Sequence, residues 1–156
     1  MSSSLSDTDG IERRRRWLSV LAKAPGERLE ALLQQVGPVP AWQALRRAET
    51  GLVMINGRVS GTGTPFCAGE MTVTRAAIRL DSGELGIGYV GGRDRRKAES
   101  AALVDALGQR ADWRERLEAQ VIAPLEAEAE ARHRLIAARA AATRVEFFTV
   151  AREGGT

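Results

Sequence analysis

The sequence predicts an α+β fold: an antiparallel sheet of about four strands, N-terminal helices, a helix after the sheet, a long C-terminal helical arm and a short terminal strand. Three observations carry this prediction. Apolar residues recur at helical spacing up to Val36 and again after Asp94. The stretch between them is rich in alternating and glycine-punctuated segments. Asp81-Ser82-Gly83-Glu84 then supplies turn chemistry between two strand-like runs. The expected organisation is a disordered tail over 1–9, an α+β domain over 10–111, and a helical arm with a terminal strand over 112–156.

Residues 1–9 are rich in Ser and Asp, a composition that suits disorder. From Gly10, the residues Ile11, Trp17, Leu18 and Leu21 share one helical face. Arg13 to Arg16 wrap the rest, with Arg14 beneath the apolar stripe, where its stem can pack while its head reaches water. These arginines read first as a solvated helix face, with a partner or phosphate contact as the sharper alternative. Pro25 suits the first turn of a second helix. Leu29, Leu32, Leu33 and Val36 give it an apolar face, and Gly37, Pro38 and Pro40 end it.

"WQALRRA" reads as an edge strand, though its alanines also allow helix, and "GLVMING" as a more secure strand. "GEMTVTRAAIRL" and "DSGELGIGYV" read as a hairpin. In the second of these, Leu85, Ile87 and Tyr89 alternate with Gly86 and Gly88. One face is therefore apolar, and the other lets a neighbour approach the backbone. The strand from Met71 to Leu80 has a parity fault: Met71 and Val73 are odd, Ile78 and Leu80 even. A bulge near Ala76-Ala77 would repair it; without one, Arg75 and Arg79 share a face with Met71 and Val73.

Beyond the sheet, Asp94 is a fitting N-cap for a helix carrying Leu103, Ala106 and Leu107. Asp112 and Glu115 form a capping-box pattern for the next helix, with Trp113, Leu117 and Val121, and Pro124 breaks it, kinks it or starts another. "PLEAEAEARHRLIAARAAA" is strongly helical but has only three large apolar residues, so it reads as an arm. "TRVEFFTVAR" has strand character, suited to its own sheet or another subunit's.

Composition narrows the function classes. The chain has 156 residues and an apolar share of 44%, but 25 residues are Ala and aromatics are 4%. Alanine buries little area, and the gain scales at about 25 cal/mol per Å², so a shallow core leaning on a partner is expected. The net charge of +3 comes from 23 bases and 20 acids; the bases form short runs rather than one broad face, which argues against a nucleic-acid binder. Trp17 is the only aromatic beside a basic run, so stacking on bases has little support. One Cys excludes a multi-cysteine cage, and one His argues against a self-contained zinc site. No apolar run approaches a membrane span and no signal peptide is visible, so a cytoplasmic protein is expected.

Several residues are candidates for a site. In "GGRDRR", Arg93, Arg95, Arg96 and Lys97 stand before and within a helix's first turn, where the dipole already favours an anion. Phosphate or substrate contact, a protein interface and plain solvated charge all fit this run. Glu70 could act as a general acid or base, and Arg75 could assist it. "SGTGT" lacks the residues of a P-loop and reads as a turn. Cys67 has no nearby His and reads as a buried or incidental thiol, and His133 as a solvated helix residue. No catalytic set is complete.

The blocks "RRRWLSVLAKA", "AETGLVMINGRVSGTGTPFCAGEMTVTRAAIRL", "LGIGYVGGRDRRKAESAALVDAL", "VIAPLEAE" and "TRVEFFTVAR" together resemble the PhnG family, the G subunits of the bacterial carbon–phosphorus lyase system. The resemblance covers nearly the whole chain. It implies a core complex with H, I and J subunits, two copies of each. It also implies that, with the I subunit and accessory partners including L, a phosphonate displaces adenine from ATP to give α-D-ribose 1-phosphonate 5-triphosphate. The iron–sulfur cluster and S-adenosylmethionine of the later C–P cleavage belong, by the same resemblance, to the J subunit; one Cys here could not ligate a cluster. The family lends no catalytic residue to this chain, whose implied task is to bind and shape the I and J subunits. Lys97 stands where the family has a His, which fits a cation at an interface or beside phosphate better than acid–base work. Two other readings remain open: a free-standing phosphate-handling enzyme using Glu70 with Arg75 or Arg93, and a basic nucleic-acid-binding module.

Overall fold

The computed structural model describes residues 3–59 and 62–143, with side chains from Thr8 onward. Helix α1 (Ser3–Lys23) is followed by α2 (Gly26–Val36), and then by strands β1 (Trp42–Arg58), β2 (Pro65–Leu80) and β3 (Leu85–Gly91). Helix α3 (Arg95–Gly108) follows, then α4 (Ala111–Leu117), a π-helical segment (Glu118–Ile122) and α5 (Ala123–Ala142). The strands form one antiparallel sheet in the order β1-β2-β3.

The α+β architecture is as the sequence predicts, with three strands rather than four. The two segments "WQALRRA" and "GLVMING" are one long strand, β1, which pairs with β2 from Trp42↔Leu80 to Arg58↔Pro65. Extra residues between Ala44 and Glu49 are absorbed as irregularities on β1, opposite an unbroken β2. The bulge therefore lies on β1, not at Ala76-Ala77, and Arg75 and Arg79 share a face with Met71 and Val73. Helix α1 starts at Ser3, inside the stretch read as a disordered tail; Ser and Asp also favour helix N-termini, so composition alone did not separate the two. The expected terminal strand lies outside the described residues.

Helix α3 explains the packing. Residues Ala101 to Leu107 are all buried, because α3 rests on the sheet on one side and on α1, α2 and α4 on others. Its alanines meet glycines across the sheet. A Cβ on Gly86 would lie 1.9 Å from the Ala102 carbonyl oxygen, and one on Gly88 would lie 1.9 Å from that of Ala98. The glycine face of β3 is thus the buried one. Ala76, Ile78, Leu80 and Val90 complete that inner face.

The core also takes in Trp17, Leu21, Leu29, Leu32, Trp113, Leu117, Val121, Ile122 and Leu125. It therefore extends past residue 112, where the sequence suggested that an arm begins. From Ala131 to Thr143 every residue of the C-terminal helix is exposed, so the arm proper is shorter. Pro124 sits just inside α5, and the π-helical segment before it absorbs the break in hydrogen bonding. Asp112 lies inside the first turn of α4 and pairs with Arg110 at 2.8 Å, so it does not serve as the cap.

One half-buried ion pair, between exposed Arg14 and buried Asp105, ties the layers together. Asp105, in the middle of α3, accepts from Nε and Nη2 of Arg14, both at 2.8 Å, and from the Ile87 backbone N–H at 2.9 Å. This bidentate geometry satisfies a carboxylate that water barely reaches. The pairing with Asp105 raises the Arg14 pKa further above its ordinary value, against an opposing effect of burial.

Candidate functional site: an open sheet face and a charged turn

Strict alternation along β3 sends Leu85, Ile87 and Tyr89 away from α3. They are 51%, 48% and 50% exposed. On the same face of β2 stand Met71, Arg75 and Arg79, and opposite them on β1 Val53, Glu49 and Gln43. Most residues on this side of the sheet stay exposed, although Val73, on the same face of β2, is buried. Its charged rim is held in place: Arg75 Nε and Arg46 Nη1 donate to Glu49 at 2.7 and 2.8 Å. The hydrogen bond from Arg75, helped by Arg46, holds the Glu49 carboxyl below the usual carboxylate range.

The β1–β2 hairpin runs past the end of β3, whose pairing stops at Val73↔Gly91. This two-stranded projection exposes Leu52, Met54, Ile55, Val59 and Phe66. Two strands alone are marginal in water, and contiguous exposed apolar groups mark contact surfaces.

The turn carrying the basic run is anchored beside this projection. Thr74, buried on β2, donates its hydroxyl to the Gly92 carbonyl oxygen at 2.7 Å and accepts from Thr50 Oγ1 at 3.1 Å. Gly92, at φ +89°, donates its N–H to Thr72. Arg93 follows directly, and Asp94 caps α3 through the Lys97 N–H at 2.9 Å, as the sequence predicts. Nothing local to Thr74 in sequence announced this role.

The predicted cations separate. Arg93, Arg95 and Arg96 are exposed, but Lys97 is 8% exposed and its Nζ donates to the Ala22 carbonyl oxygen at 2.8 Å. Lys97 thus satisfies an orphan carbonyl at the end of α1 and is not presented with the arginines. Arg96 lines a cleft beside Glu30 and Glu99, whose charges oppose an anion there. Glu70 and Arg75 lie five residues apart in an unbroken stretch of β2, so they point to opposite faces. Glu70 therefore does not pair with Arg75 on one face of the strand. Cys67 is exposed, contrary to a buried thiol, and His133 is exposed as expected. No group of three or more His, Cys, Asp or Glu able to hold a metal occurs among the described residues.

Burial lowers the Lys97 pKa, with Asp94 opposing the shift. The unfolded chain therefore holds this proton to higher pH than the folded chain. Stability rises with pH as Lys97 sheds its proton, until the usual lysine range is reached. Lys97→Met is expected to cost about 1 kcal/mol near neutral pH through the lost α1 contact, and to flatten that alkaline rise. Chemical denaturation across alkaline pH checks both; an unchanged slope would show that Lys97 does not carry the effect.

The fold and its surface define a helix-backed antiparallel sheet whose outer face leaves Leu85, Ile87 and Tyr89 about half exposed. Residues 12–153 match the family model described as "Phosphonate metabolism protein PhnG". The chain belongs to this family. It is 42% identical over 154 residues to the alpha-D-ribose 1-methylphosphonate 5-triphosphate synthase subunit PhnG of Rhizobium meliloti (strain 1021), covering 97% of this chain and 96% of that protein. No helix among the described residues is long and apolar enough to cross a membrane.

Proposed function

We propose that this chain is an accessory, structural subunit of a carbon–phosphorus lyase core complex, acting with H, I and J subunits in phosphonate catabolism. In this role it supports displacement of adenine from ATP by a phosphonate, giving α-D-ribose 1-phosphonate 5-triphosphate. The chain then belongs to the enzyme without carrying its reacting groups; iron–sulfur and S-adenosylmethionine chemistry falls to the J subunit. The observation that carries the reading is the uncovered face of Leu85, Ile87 and Tyr89 with the projecting β1–β2 hairpin, on a chain 42% identical to a synthase subunit. Burying such a face against a neighbour supplies association energy, and the rim of Arg46, Glu49 and Arg75 fixes how the neighbour docks.

Purine release from ATP in the presence of a phosphonate, with each subunit omitted in turn, tests this reading. Omission of this chain is expected to abolish release and prevent co-purification of the core. The chain with Arg93→Ala and Arg96→Ala is expected to fold within about 0.5 kcal/mol of the parent while lowering assembly or turnover. Full activity without the chain would overturn the proposal; normal assembly and turnover in the double variant would remove the arginines from it.

A further inference from the structure

A second feature lies away from the sheet face, where α1, α3 and α4 meet. A half-open cavity of about 270 Å³ is lined there by Arg13, Arg14, Trp17, Asp105, Gln109 and Arg114 among others. That is many times the ~10–15 Å³ that admits a single water. Its one acid is already committed, since both Asp105 oxygens accept from Arg14 and one also accepts from Ile87. Arg13 makes no ion pair among the described residues. Among the described residues the Arg114 side chain reaches only the Gln109 carbonyl oxygen, at 3.4 Å, and its Nε is buried with no hydrogen-bond partner. Two guanidinium groups are therefore left without counter-charge on one concave surface, and one holds an unsatisfied donor. A buried donor without a partner is costly, so this side chain gains by turning onto an acceptor.

We infer that this cavity is an anion site for a tetrahedral oxyanion, a phosphate or phosphonate group, held by Arg13 and Arg114 beside the fixed Arg14–Asp105 pair. Guanidinium forks match such oxygens. Arg14, locked by Asp105, sets the depth of the site, while Arg13 and Arg114 supply the free donors. The "GGRDRR" turn plays no part in it, and the inference stands whether or not the chain acts as a subunit of the synthase.

Titration calorimetry on the full-length chain, or on the complex containing it, with inorganic phosphate and separately with methylphosphonate, tests the site. Ionic strength is held constant with chloride. Saturable binding of at least one probe is expected. It should weaken about tenfold in Arg13→Ala and in Arg114→Gln, and stay unchanged in Arg139→Ala, which removes a like charge from the exposed end of α5. Arg13 has no ion-pair partner among the described residues, so its variant is expected to keep its melting temperature and decides the matter if Arg114→Gln is unstable. Binding of one probe only names the preferred group. Absence of saturable binding for both probes, unchanged binding in Arg13→Ala, or equal weakening in Arg139→Ala would overturn the inference.

Discussion

Gly88→Ala is expected to destabilise the isolated chain by about 3 kcal/mol, and pairing it with Gly86→Ala to prevent folding. The reason is backbone against backbone. An added Cβ at either position would lie 1.9 Å from a carbonyl oxygen of α3, and no rotamer change can move a carbonyl inside a helix. Either α3 lifts from the sheet or β3 bends. Lifting α3 would open contacts made by its run of buried residues, Ala101 to Leu107. Domains of this kind hold only about 5–15 kcal/mol in reserve, so two such losses exhaust much of it. Thermal or urea unfolding followed by circular dichroism checks the expectation. Gly91→Ala serves as the comparison, since nothing lies within 4 Å of its added Cβ. Equal stability of the Gly88 and Gly91 variants would show that α3 does not sit this close.

The second large effect concerns assembly. Replacing Ile87 and Tyr89 together by Glu is expected to weaken association with partner subunits by more than about a hundredfold, because central apolar anchors each contribute about 2 kcal/mol or more. Both side chains point away from α3 and are about half exposed, so the isolated chain should lose only about 2 kcal/mol and stay folded. The Ile87 N–H bond to Asp105 is a backbone contact and survives the change. Subunit pull-down and unfolding curves separate the two readouts. Loss of folding with assembly, or full assembly, would each contradict the assignment of this face.

The same pair of residues shows how far the sequence could be read. The alternation of Leu85, Ile87 and Tyr89 with glycines announced a two-faced strand, and it is one. Alternation alone does not say which face turns inward. The ordinary expectation puts the apolar side in the core, yet here an alanine-rich helix lies against the glycines because small residues let backbones approach. The Asp94 cap and the Asp81–Glu84 turn were legible, since each acts within a few residues; Gly83 takes φ +109° there. Long-range polar contacts were not. Asp105 sits in "LVDAL" with no local signal, and its partner Arg14 is ninety-one residues away. Lys97 read as one more cation of a surface run, and only the packing of α1 against α3 turned it inward. The extent of β1 was missed because irregularities between Ala44 and Glu49 break its pattern without ending the strand.

In the assembled complex a neighbouring subunit is expected to cover the outer face of the sheet. Thiol labelling of Ile87→Cys, in a Cys67→Ser background to silence the exposed native thiol, reports on that face directly. Rapid labelling in the isolated chain, and labelling slowed by about a hundredfold or more in the assembled core complex, is the predicted result. Equal rates in both would show the face open to solvent within the assembly and would contradict its burial by a partner.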